Sequence, residues 1–411
     1  MGVNMWLLLA VACGDVKENP CVSGTVRTAP HVCEVVSGDG SAAESPAPPD
    51  SGDGNATDTG SPIDGDTAEP TDVDPAADEA DAMANAATTF LDSLDAAQRD
   101  AAQFDLTDSE RSAWSNLPVG DFPREGARIG DMTDGQQTLA WSLVEASLSA
   151  RGKQRIDEIL TMESIVEAIG WGSASLDDYF FVVFDVPSST SPWGWQLDGH
   201  HLALNFTVVG SDVTMTPSLW GVEPVTWDEG EYAGLEPMVD EVVQGLTWAN
   251  LLSTEQLEVA AQGPGGDPAL EFGPQTDPTM WPSIQGLGVS DMTLEQREAL
   301  VDLIAVYVGN LPTHQAENRM REIRDTLDEV SVVWVGEAIR GSAIYYRIHG
   351  PHVLIEFDHV MGPNHIHSVY RDPSNDYGAD WLSKHLAIHH ADELRTKGLG
   401  AWARTDVPHV H

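Results

Sequence analysis

Laid on itself with a shift of 151 residues, this chain repeats a pattern, and the repeat limits the folds open to it. Trp195-Gln196-Leu197-Asp198-Gly199-His200-His201-Leu202-Ala203-Leu204-Asn205-Phe206 falls without a gap on Tyr346-Arg347-Ile348-His349-Gly350-Pro351-His352-Val353-Leu354-Ile355-Glu356-Phe357. Gly, His and Phe coincide, and four further positions exchange aromatic for aromatic or aliphatic for aliphatic. The same shift lays Leu176-Asp177-Asp178 on Leu327-Asp328-Glu329. Both stretches alternate apolar and polar residues as half-buried strands do. Repetition of a whole helix-and-strand unit reads as internal duplication. The expected fold is α+β, with helical segments followed by antiparallel strands, duplicated within one domain.

The helices are announced by capping boxes, in which Ser, Thr or Asp is followed three residues later by Gln or Glu. Asp95…Gln98, Thr107…Glu110, Thr133…Gln136, Ser253…Gln256 and Thr293…Gln296 fit the pattern. Helical apolar spacing follows them, as at Leu300, Leu303, Ile304 and Val308. Strands are expected over 179–184, 193–209 and 213–216 in the first half. In the second they are expected over 330–335, 343–349, 352–358 and 365–370.

Composition sets the outer limits. The formal net charge of −46 on 411 residues repels phosphate backbones and excludes nucleic acid as a partner. Residues 38–82 are rich in Gly, Pro, Ser, Asp, Ala and Thr, and no Lys or Arg occurs between Arg27 and Arg99. Such a segment buries too little apolar surface to offset its ordering entropy. The start, Met5-Trp6-Leu7-Leu8-Leu9-Ala10-Val11-Ala12-Cys13, has the form of a bacterial lipoprotein signal with Cys13 as the lipidated residue, although no basic residue precedes it. Cys21 and Cys33 are then left as a possible disulfide in an oxidising compartment. The expected organisation is a signal and lipidated Cys over 1–13, an acidic disordered tether over 14–79, one α+β domain over 80–395 and a tail over 396–411. The chain is expected at the bacterial cell envelope, facing the periplasm or exterior, touching the membrane only through its lipid.

Ten of the fourteen histidines lie in the last 63 residues. His365-Ile366-His367 follows Leu354-Ile355-Glu356-Phe357-Asp358-His359 closely, and alternate strand residues share a face. His365 and His367 therefore project together, as do Glu356 and Asp358. Two histidines and one carboxylate suit zinc or non-haem iron. The ligands expected are His365, His367 and Glu356, with Asp358 or Glu356 as general base and Arg347 or Arg371 as a clamp for a substrate anion. A closed polar network of these groups is the competing structural reading. In the first half, Trp195, Asp198 and His201 are candidates for substrate contact. His200 and His201, being neighbours in a strand, are expected on opposite faces. The expected activity is metal-dependent hydrolysis at this His/carboxylate site; the alternative is a ligand-binding or structural module without catalysis, and the partner is an unidentified small molecule or none.

Trp193-Gly194-Trp195-Gln196-Leu197-Asp198-Gly199-His200-His201-Leu202, Asn205-Phe206, Thr216-Pro217, Tyr345-Tyr346-Arg347-Ile348, Leu354-Ile355-Glu356-Phe357-Asp358 and Asn364-His365-Ile366-His367-Ser368-Val369-Tyr370-Arg371-Asp372 together resemble the family called domain of unknown function 3500. The similarity runs from about residue 85 to 392. It implies a single domain and carries no activity with it.

Overall fold

The computed structural model describes residues 25–29, 32–35 and 74–389, except 173–174, 262–269, 275, 277–280, 282 and 360–361. The proposed lipid site at Cys13, the Cys21–Cys33 pairing and the tail over 396–411 lie outside what is described. Thr25–Ala29 and Val32–Val35 pair antiparallel within a unit of their own, Met1–Glu69. These two short strands fall inside the stretch read from composition as a tether.

The main unit contains nine α-helices and a sheet of twelve strands among the described residues. The helices are α1 Pro75–Ser93, α2 Ala96–Ala102, α3 Asp134–Ser147, α4 Ala150–Ile169, α5 Val239–Asn250, α6 Thr254–Ala260, α7 Leu294–Val308, α8 Thr313–Asp325 and α9 Ala379–His389. The strands are β1 Gln103–Phe104, β2 Ala127–Arg128, β3 Phe180–Phe184, β4 Trp193–Gly199, β5 Leu202–Val209, β6 Asp212–Thr214, β7 Ser218–Val222, β8 Leu287–Gly288, β9 Ser331–Val335, β10 Tyr345–His349, β11 Leu354–His359 and β12 Ile366–Arg371. None of the described helices is long and apolar enough to cross a membrane. Helix α1 starts five residues before the expected boundary because Asp74 caps it and Pro75 takes its first position.

Four of the five expected capping boxes form, at Asp95, Thr133, Ser253 and Thr293. The fifth does not: Asp108, rather than Thr107, accepts from Glu110 N and opens a short 3-10 turn. The boxes repeat in space as well as in sequence. Gln98 Nε2 donates to Asp131 O at 3.0 Å, and Gln256 Nε2 to Asp291 O at 3.0 Å. Gln136 Nε2 donates to Ser93 O at 2.9 Å, and Gln296 Nε2 to Leu251 O at 2.8 Å.

The sheet runs β8-β9-β10-β11-β12-β7-β5-β4-β3-β1, with β2 on β3 and β6 on β5. Read outward from the β7–β12 pair, each half presents the same succession. A hairpin (β4-β5 or β10-β11) comes next, then a strand (β3 or β9), then a two-residue strand (β2 or β8). The duplication thus produces one continuous sheet joined at its centre, antiparallel but for β1 on β3.

One face of the sheet is apolar and lies under the helices. Trp195 stacks on Phe206 at 4.5 Å and 4°, and its counterpart Tyr346 stacks on Phe357 at 4.9 Å and 4°. These rings join Phe90, Leu143, Leu300 and Ile304 of α1, α3 and α7 in a single core. The opposite face is mixed. It carries Asp198, Asn205, Gly221, His367, Arg371, Glu356, Asp358 and Arg347, because period-two alternation puts every partner of the apolar set there. The two stacks are equivalent members of one core, so Phe206→Ala and Phe357→Ala should each cost about 3–5 kcal/mol in a single cooperative urea transition. Two separate transitions, or one variant left at wild-type stability, would show that the halves fold independently.

Candidate functional site

The site forms where the two halves meet. His367 on β12 stands opposite Gly221 on β7, and Gly221 N donates to His201 O at 2.7 Å at the head of β5. Gly221, His367 and Asp358 therefore make one row across three strands, on the mixed face, and His201 meets its end from the turn before β5. Neighbouring strands lie about 4.8 Å apart, which ordinarily separates side chains two strands away. Gly221 removes the side chain between them. A Cβ there would come within 2.8 Å of His367 Cδ2 and 3.0 Å of His201 Cδ2. With that space open, the two rings lean together to a centroid distance of 5.4 Å.

His365, just before β12, completes the group. Its Nε2 lies 2.9 Å from His201 Nε2 and 3.0 Å from His367 Nε2. His201, His365 and His367 are thus a set of three residues able to hold a metal ion. A tetrahedral ion with nitrogen ligands at about 2.0–2.1 Å places them roughly 3.3 Å apart, so a small opening of the group suffices.

The hydrogen bonds behind the rings decide their protonation. His201 occupies a tight turn, not a strand, and takes φ +59° there. The left-handed region is uncommon outside glycine, although His is among the residues that enter it more often. The turn overturns the expectation that His200 and His201 face apart, because it points both rings at one partner. Glu163 Oε1 lies 2.7 Å from His201 Nδ1 and Oε2 lies 2.8 Å from His200 Nδ1, with the rings stacked 3.8 Å apart. Burial pushes Glu163 up, but the bonds to His200 and His201 outweigh it and hold the carboxyl at about 2. An ionised carboxylate only accepts, so Nδ1 of His201 carries the proton and its Nε2 presents a lone pair. Burial lowers His201 to about 4 against the pull of Glu163, and lowers His365 and, most strongly, His367. His367 Nε2 faces the Asn116 amide nitrogen at 3.1 Å, which can only donate. His201 Nε2 and His367 Nε2 both face His365 Nε2, whose single proton can serve one of them, while Asn116 donates to His367. Neutral imidazoles with converging lone pairs are the form that binds a cation.

Asp358 stands opposite His367 on the adjacent strand, with its side chain on the same face. It is buried, has no hydrogen bond or ion pair among the described residues, and is raised by that burial to about 6.

The other expected site residues lie elsewhere. The third member of the histidine group is His201, not Glu356. Glu356 is fully buried, accepts from Tyr345 OH at 2.7 Å and Phe272 N at 2.8 Å, and is raised by burial to about 7. Arg371 is bound by Asp376 at 2.6 Å and donates to Phe272 O at 3.1 Å. Arg347 pairs with Glu271 at 2.7 Å. Both guanidiniums are buried and engaged in structural contacts away from the histidine group, although Arg347 Nε itself has no hydrogen-bond partner among the described residues. Trp195 belongs to the core beneath the sheet, since alternation along β4 turns it toward Phe181 and Phe206. Asp198 holds Arg124 at 3.0 Å rather than orienting a histidine; that work falls to Glu163. His352, the repeat equivalent of His201, bonds Ser374 at 2.7 Å at an exposed turn. His385 on α9 is not a member of the group.

Sequence reasoning missed Glu163, Asn116 and Gly221. Glu163 and Asn116 are far from the histidines in the chain, and nothing in their local pattern sets them apart. Gly221 carries a signal, a glycine inside a short apolar run, which marks close approach of another group.

Fold and site together define a duplicated α+β protein with a convergent histidine group at the seam between its halves. The chain belongs to the family described as Protein of unknown function (DUF3500), whose model matches residues 76–379. No curated protein and no solved structure matches it.

Gly221→Ala should keep the circular dichroism of the wild type and cost about 1–3 kcal/mol of stability through overpacking, while forcing the His201 and His367 rings apart. Cobalt(II) titrated into that variant should bind roughly 10-fold or more weakly. An unchanged cobalt spectrum and affinity would refute the role given to the gap at Gly221.

Proposed function

We propose that this protein is a metal-dependent hydrolase whose ion, zinc, is held by His201, His365 and His367. The observation that carries the reading is the meeting of their three Nε2 atoms, with neighbouring pairs 2.9 and 3.0 Å apart. Three nitrogen ligands and no carboxylate suit zinc better than the mixed set of non-haem iron enzymes. Three protein ligands also leave one position open, the arrangement of catalytic rather than structural zinc. His365 and His200 are partly exposed, so the group can be reached from solvent.

A zinc ion there would act as a Lewis acid and lower the pKa of a bound water. The chain's own residues do the rest. Glu163 fixes the tautomer and plane of His201, as a carboxylate behind a metal-bound imidazole does. Asp358, opposite His367 and without another bond among the described residues, is placed to take the proton released from the attacking water.

The chain purified without a histidine tag should carry close to one zinc ion per molecule by elemental analysis. His201→Ala, His365→Ala and His367→Ala should each lose it while remaining folded. Glu356→Gln should keep it. Zinc lost with Glu356→Gln but kept with His201→Ala would overturn the ligand set.

The location at the envelope is part of the same reading, supported by the apolar run ending at Cys13 and by the acidic segment after it. In bacterial cells that process lipoproteins, the full chain should partition into detergent and incorporate labelled palmitate, and Cys13→Ser should do neither. Recovery of the unaltered chain in the aqueous phase would end the anchor proposal.

A further inference from the structure

One loop closes over the histidine group, and it is held more firmly than a connection requires. Trp114 is buried and donates from its indole nitrogen to Tyr377 OH at 2.6 Å. Ser115 N donates to Asp198 at 3.2 Å. Arg124 reaches back beneath the same segment, donating to Ser115 O at 2.5 Å and Leu117 O at 2.7 Å while Asp198 holds its Nε at 3.0 Å. Both neighbours of Asn116 are thus pinned. Asn116 itself accepts from His201 N through its carbonyl at 3.3 Å and aims its amide nitrogen at His367 Nε2 at 3.1 Å. Of the side chains bonded to the three Nε2 atoms, it is the one that is not another histidine.

The charges around the group restrict what can enter. Glu163, Asp358 and Glu223 face it: Glu163 bonds His201, Asp358 stands opposite His367, and Glu223 lies 3.5 Å from His365. Among the described residues no Lys or Arg bonds any of the three histidines. The guanidinium of the covering loop, Arg124, is 1% exposed and committed to the contacts above. A phosphate or sulfate ester would bring negative charge to a site already rich in it, on a chain of net charge −46. An uncharged acyl compound brings none, and its carbonyl oxygen needs a neutral donor of the kind Asn116 supplies.

We propose that Asn116 is a catalytic residue of this site, donating through its Nδ2 to the substrate's carbonyl oxygen, and that the substrates are uncharged amides or esters of carboxylic acids. The proposal rests on the hydrolase reading above. The water oxygen bonds to the acyl carbon, one water proton passes to Asp358 and then to the leaving nitrogen or oxygen, and the acyl C–N or C–O bond breaks. The products are a carboxylic acid and an amine or alcohol, and nothing is oxidised or reduced. The rigid loop holds the amide in place before the substrate arrives, which is what such a donor requires.

The test uses the full-length zinc-loaded chain, with metal content measured first and acetohydroxamate or inorganic phosphate then titrated by calorimetry. Wild type should bind acetohydroxamate and show no phosphate binding at the same concentrations. Asn116→Ala should keep its zinc and its unfolding midpoint and bind acetohydroxamate about 10-fold or more weakly, as loss of one hydrogen bond to a charged oxygen predicts. Equal acetohydroxamate affinity in the variant would overturn the role of Asn116. Phosphate binding as tight as acetohydroxamate would overturn the substrate class. Loss of zinc from Asn116→Ala would make the residue part of the metal's own shell and overturn the assignment as substrate donor. Wild type without zinc, seen before either probe is added, would instead overturn the hydrolase reading itself.

Discussion

The antiparallel pairing of β7 with β12 is the contact on which the rest of the structure depends. It joins two copies of one helix-and-strand unit into a single sheet. It also sets the row that runs from Gly221 through His367 to Asp358, with His201 meeting its end from the turn before β5. Because side chains alternate, a slip of one residue in this register would send His367 to the helix-covered face and Ser368 to the site. The register is held by what lies beneath it, where Trp220, Phe357 and Tyr370 are buried in the common core. The apolar face thus determines the geometry of the polar one.

The mixed face divides into two regions of different character. Over the second half, Arg347 pairs with Glu271, Arg371 with Asp376, and the buried Glu356 accepts from Tyr345 OH and Phe272 N. Breaking one member of such a network leaves an uncompensated charge, so these residues act as structure. At the seam the accounting is incomplete. His201 and His367 present lone pairs to a third ring, and Asp358 has no partner among the described residues. Three ring nitrogens that bond mainly to one another, gathered at one partly exposed place, set this region apart from the rest of the face. Duplication accounts for the scaffold on both sides, but the site itself is asymmetric. His201 comes from the first half and His365 and His367 from the second, while the repeat equivalent of His201 lies at an exposed turn.

Much of this was legible in the residues. Alternation in the two related stretches located β4, β5, β10 and β11, and the capping boxes located α2, α3, α6 and α7, because both signals are local. The strand β7 was not foreseen: Ser218-Leu219-Trp220-Gly221-Val222 is short and contains a glycine, so it offers little periodicity. His365 and His367 were recognised by their spacing. Their partner was sought among the nearest carboxylates in the chain, and Glu356 does lie on the same face of the adjacent strand. It sits opposite Val369, however, whereas the position facing His367 belongs to Asp358. His200 and His201 were assigned opposite faces on the assumption of an unbroken strand. The turn at +59° removed that assumption.

By itself the sequence determined the class of the fold, the duplication, the position of most elements and the polarity of each sheet face. These follow from periodicity and capping, which act over a few residues and are written in neighbouring side chains. Only the tertiary structure decided which histidines meet, that Glu163 orients one of them, that Asn116 reaches the group, and that Arg347 and Arg371 are occupied elsewhere. Those contacts join residues from 38 to 251 positions apart. They depend on the β7–β12 register and on the single missing side chain at Gly221. No local pattern encodes a register between strands from different halves of a chain, because it is set by how two whole units bury their apolar faces together.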